Sequence, residues 1–126
     1  TIDVSVEWGD LTFEYKHGDW DPETLQYGVD TITPVSVGNN TVTVTNKATS
    51  DVPIIAELKY IGKSTYRNLG GYFTANNNKA DAKISETTVA KGSQKTSYLW
   101  LEGDLERDVT GTITSGTCEV TIRGGK

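Results

Sequence analysis

Apolar residues in this chain recur at every second position, and that habit narrows the folds open to it more than any other feature. Ile2, Val4, Val6 and Trp8 alternate with Asp3, Ser5 and Glu7, and Leu11, Phe13 and Tyr15 alternate with Thr12 and Glu14. A strand turns successive side chains to opposite faces, so such a run buries one face and wets the other. Trp8 and Leu11 are three positions apart, so the buried face switches across Gly9-Asp10. A two-residue hairpin, a bend in one long strand or a bulge at Gly9 would each account for the switch.

The same period continues. "TITPV" reads as a short strand ending at Pro34, "GNN" as a turn, and "TVTVTN" places Val42 and Val44 on one face. Val52, Ile54, Ala56, Leu58 and Tyr60 share a face, and Pro53 marks that end as an edge or a bulge. "DAKISETTVA" is a weaker strand with Ala82 and Ile84 inward, and "KTSYLWLEG", apolar on both faces, belongs at a sheet centre. Around the turn "SGT" the last strands place Ile113, Cys118, Val120 and Ile122 in the core. Trp8 and Trp100, inside alternating strands, are expected in the core as well. One helical turn fits Asp21-Pro22-Glu23-Thr24-Leu25, where Asp caps and Pro suits the first position. About eight to ten short strands with turns every ~8–12 residues predict one all-β domain over residues 1–126, a two-sheet antiparallel sandwich. Nineteen Thr residues and thirteen Gly suit strand surfaces and turns.

Charge and composition exclude several functions. Seventeen acidic against twelve basic residues give a net charge of -5, which repels nucleic acid and anionic membrane surfaces. No apolar stretch is long enough to span a bilayer. The chain contains no Met and starts at Thr1, which reads as a mature form or an excised domain. Cys118 is the single Cys, so an internal disulfide is impossible. Without a basic neighbour it reads as a small buried hydrophobe rather than a reactive thiol.

The densest chemistry lies in "HGDWDPETLQYG", residues 17–28. Asp19, Asp21 and Glu23 offer oxygen ligands of the kind Ca²⁺ takes. The helix-loop-helix calcium spacing is missing, and the favoured reading is an Asp-capped turn with Trp20 folded onto the sandwich edge. His17, the only His, has no Ser in a nucleophile elbow to serve, and one His with one Cys serves zinc poorly. Paired acids for glycoside hydrolysis cannot be placed from sequence. No cofactor is implied. Trp20, Tyr66 and Tyr72 sit in or beside expected loops and are the candidate ligand-binding aromatics. A Lys–Asn isopeptide cross-link would need a buried Lys, whereas alternation points Lys59 and Lys83 outward. Asn39-Asn40-Thr41 fits the N-glycosylation pattern.

"VEWGDLTFEYKHGDWDPETLQY", "NNTVTVTNKATSDVPIIAELKY" and "SQKTSYLWLEGD" together resemble immunoglobulin-like domains in secreted or cell-surface proteins of Firmicutes gut bacteria. The resemblance runs roughly from Val6 to Gly103, with the Trp20-Asp21-Pro22-Glu23-Thr24 turn its most distinctive part. "TNKATSDVPIIAELKY" is also similar to the strand pair of camelysin-like biofilm matrix proteins, which assemble by strand addition. The resemblance implies an immunoglobulin-like sandwich with an extracellular or cell-surface setting, and it supplies no catalytic residue. The expected function is therefore a non-catalytic structural or adhesive module acting through loops and strand edges on a protein or glycan partner. A carbohydrate-binding module using exposed aromatics is the alternative, and a small hydrolase comes third.

Overall fold

A computed structural model describes residues 2–28, 31–61, 69–103, 111–114 and 117–124. The fold is an all-β antiparallel sandwich. Its strands are β1 (Val4–Trp8), β2 (Thr12–Lys16), β3 (Trp20–Asp21), β4 (Gln26–Tyr27), β5 (Thr31–Pro34), β6 (Thr41–Asn46), β7 (Ile54–Ile61), β8 (Leu69–Thr74), β9 (Glu86–Val89), β10 (Ser93–Gly103), β11 (Gly111–Thr114) and β12 (Thr117–Gly124). One layer is the four-stranded sheet β1-β6-β10-β8. Two three-stranded sheets, β11-β2-β5 and β12-β7-β9, supply the other side of the core, and β3-β4 forms a hairpin of its own.

The switch of buried face at Gly9-Asp10 has a simple cause. β1 pairs with β6 in the first layer, and β2 pairs with β5 and β11 in the second. The chain crosses between layers here, so the alternation restarts in a new frame. The Gly9 N–H donates to the Thr41 carbonyl and the Asp10 N–H to the Asn39 carbonyl, both at 2.8 Å. A Cβ on Gly9 would overlap the Asn39 carbonyl oxygen and lie 2.6 Å from Thr41 Oγ1, so the crossing needs glycine. Asp10 fastens it: one carboxylate oxygen accepts the N–H and hydroxyl of Thr12, and the other accepts the Ser36 hydroxyl at 2.9 Å. Those bonds, the Thr12 hydroxyl foremost, hold the Asp10 carboxyl below its ordinary 3.8.

The core joins Phe13 and Tyr15 of β2, Ile32 of β5, Val42 of β6, Leu58 of β7, Leu69 and Phe73 of β8, and Leu99 and Leu101 of β10. Each such side chain contributes roughly 1.5–3 kcal/mol on leaving water. A second cluster, Val44, Ile54, Ala56 and Val89, extends it. β10 does lie at a sheet centre, between β6 and β8. Cys118, Val120 and Ile122 pack against these clusters, half-buried, while the Ile113 side chain lies outside the described residues. Burial alone pushes the Cys118 thiol up to about 11.

Some expectations are corrected. Trp8 shares a face with its register partner Val42 but is 42% exposed. It ends β1, an edge strand of its sheet among the described residues, where fewer neighbours are at hand to cover a side chain. Trp100 is half-buried on the face opposite Leu99 and Leu101, its indole N–H donating to Thr74 Oγ1 at 2.9 Å. Ala82 is exposed, because the strand begins only at Glu86 and turns Val89 inward, whereas Ile84 does pack, half-buried, against the core.

Two Asn residues bracket β6, and both are fully buried. Asn40 accepts the Leu99 N–H on its backbone carbonyl and donates its side-chain amide to the Leu99 carbonyl. Asn46 donates its side-chain amide to the carbonyls of Val52 and Val89, each at 3.0 Å. They satisfy backbone groups where the sheet ladder runs out.

Candidate functional site

The sandwich leaves one short element outside its layers. After β2 the chain passes His17-Gly18-Asp19, forms β3, turns through Pro22–Leu25 and returns as β4. Trp20 pairs with Tyr27 and Asp21 with Gln26. The expected helical turn is replaced by this hairpin loop. Asp21 does cap it, one carboxylate oxygen accepting the Glu23 N–H at 2.9 Å, as at a helix start. Leu25 then takes a left-handed conformation, φ 56°, which reverses the chain into β4 instead of letting a helix continue.

The base of the hairpin is pinned by a glycine contact. The Gly28 N–H donates to the Asp19 carbonyl at 2.8 Å, and a Cβ on Gly18 would overlap the Gly28 carbonyl. Below it, the His17 ring stands edge-on to the buried Tyr15 ring, centroids 5.0 Å apart and planes at 75°. The hairpin is therefore anchored to the core through β2.

Its outer part is displayed. Trp20 is 50% exposed and Leu25, at the turn, 71%. Between hairpin and sandwich lies an open depression of about 560 Å³, lined among others by Lys16, His17, Asp19, Trp20, Asp21, Gln26 and Thr31. Lys16 and Thr31 are register partners where β2 and β5 meet, so the sandwich supplies the floor.

The candidate metal ligands do not converge. Asp19 and Asp21 line the depression and Glu23 does not. Among the described residues no three His, Cys, Asp or Glu side chains gather around a point that a cation could occupy. Tyr66 lies outside the described residues. Tyr72 is already engaged: the Lys83 ammonium sits 4.7 Å over its ring, and its hydroxyl donates to the Lys79 carbonyl at 3.0 Å. Burial and the nearby Glu102 raise its phenol above the usual range, against Lys83. The same Lys83 is 3.1 Å from Glu102. Trp20 lines the depression.

No family model, curated protein or solved structure matches this chain. Among the described residues no helix is long and apolar enough to cross a membrane, and every Lys, Lys59 and Lys83 included, is exposed.

Sequence reasoning missed the structural roles of Asp10, Asn40 and Asn46. The Asp10-Leu11-Thr12 spacing was a usable signal, since Asp favours bonds to the backbone two residues on. The two Asn residues carried none, because a buried clamp and a turn Asn look alike before the fold is known.

Proposed function

We propose that this domain is a non-catalytic adhesive module of a bacterial secreted or cell-surface protein, an immunoglobulin-like sandwich working outside the cell. The observation that carries this reading is the β3–β4 hairpin, which holds an indole and a leucine side chain in solvent on a rigid, glycine-pinned base. Exposed aromatic and aliphatic groups on an anchored loop contribute little to a core and favour contact with another surface. β1, β5, β9 and β12 end their sheets among the described residues and are a second resource, since an edge strand can pair with an added strand.

The test is retention of protein-coated particles under flow on bacterial cell-wall and extracellular-matrix surfaces. Wild type is retained and the Trp20→Ala/Leu25→Ala double variant is washed off. Equal retention of both would overturn the hairpin as the contact element.

A further inference from the structure

The depression beside the hairpin has a chemistry of its own. Its described lining includes a half-exposed indole, two carboxylates, a primary amide, two hydroxyls, an imidazole and an ammonium, from Trp20, Asp19, Asp21, Gln26, Thr24, Thr31, His17 and Lys16. We infer that it is a binding site for a neutral oligosaccharide, with a pyranose ring laid on Trp20 and its hydroxyls held by Asp19, Asp21 and Gln26. This rests on the reading of the hairpin as the contact element and names the chemistry it contacts.

Each alternative ligand class meets an obstacle. A cation finds no convergent group of three ligands among the described residues. Nucleic acid and acidic glycans meet Asp19 and Asp21 beside Lys16 and His17 in the described lining, in a chain of net charge -5. A purely apolar ligand would strip water from those carboxylates without replacing their hydrogen bonds. A neutral sugar avoids all three problems. One face of its ring presents C–H groups, weakly positive, to the negative face of an indole. Its rim presents hydroxyls that donate to carboxylates and accept from amide and ammonium groups.

Shape agrees. About 560 Å³ falls inside the range of small-ligand sites, roughly 300–1,000 Å³. The depression is open rather than enclosed, so an internal stretch of a longer glycan can lie across it. Preorganisation is also provided: Asp21 is held by the turn it caps, and the backbone at Trp20 is held by pairing with Tyr27. Such sites bind without large ordering costs.

The test follows the three indole N–H resonances of the intact protein during titration with cellohexaose, mannohexaose and triacetylchitotriose. Oligogalacturonate serves as the acidic comparison. At least one neutral oligosaccharide moves the Trp20 indole saturably, with an affinity of roughly 10 μM to 1 mM, while Trp8 and Trp100 stay in place. Asp19→Asn/Asp21→Asn weakens this by ~3–10-fold and Trp20→Ala by at least ~10-fold, with the Trp100 resonance unchanged as the sign of an intact fold. No response of Trp20 to any neutral sugar, or a response to oligogalacturonate alone, overturns the inference. If hairpin-dependent retention on a matrix-protein surface persists in that case, the adhesive reading stands and the ligand is a protein. If that retention also fails, both readings fall together.

Discussion

Gly18 and Gly28 meet backbone to backbone, and the contact leaves no room for a side chain on Gly18. The hairpin that carries Trp20 is closed at this point, so its geometry depends on a glycine two residues before the indole. Gly18→Ala forces the two strands of its base apart. The expected outcome is a loss of the Trp20 contact surface with the sandwich retained. Hydrogen exchange checks this: the Gly28 amide, bonded to the Asp19 carbonyl, loses protection, while the amides of β6 and β10 keep theirs.

Asn46 tests the clamp at the end of β6. Asn46→Ala strands the carbonyls of Val52 and Val89 and opens a small cavity, for a loss of roughly 2–4 kcal/mol in urea unfolding. Asn46→Asp is pH-dependent. Its carboxylate would face two carbonyl oxygens in a buried place, which raises the folded-state pKa of the acid. The folded form then holds its proton more tightly than the unfolded chain, so this variant is penalised less at acid pH and more as pH rises through the ordinary Asp range.

Asp10 runs the other way. Its carboxyl is lowered from 3.8 by the Thr12 hydroxyl, the Thr12 N–H and the Ser36 hydroxyl. The charged form is favoured by folding, so its contribution is fully present above 3.8 and disappears as pH falls through the lowered value. Asp10→Asn should unfold at lower urea than wild type at neutral pH. The gap between the two should shrink as acid is added below 3.8, and a constant gap across that window would refute this role.

Cys118 is expected to be inert. With its thiol pushed up to about 11 by burial, little thiolate exists at neutral pH. Labelling by a maleimide near pH 7.5 should be slower by at least ~100-fold in the folded protein than in urea. Cys118→Val should leave stability within ~1 kcal/mol, since a similar apolar volume takes its place.

How much of this was readable beforehand depends on which face each residue serves. The inward positions of β2, β6 and β7 followed from alternation, because burial on one face imposes that period directly, whereas β10, apolar on both faces, showed its central place but not its inward face. Phe13, Val42 and Ile54 are all buried as expected. Trp8 escaped because alternation assigns a face but not a neighbour, and an edge strand has fewer neighbours. The hairpin escaped because its two strands are two residues long each, too short to show a period. Trp20 was legible as a loop aromatic, and Tyr72 equally so. Only the fold shows that Lys83 occupies the ring of the second.

The account stands on Trp20 being displayed by the fold rather than holding it together. The unfolding free energy of Trp20→Ala, from urea titration beside wild type, measures that most directly. A loss below ~2 kcal/mol is expected for a half-exposed indole outside the layers, whereas a loss of ~3–5 kcal/mol, the cost of removing a buried aromatic, would place Trp20 in the core and contradict the account.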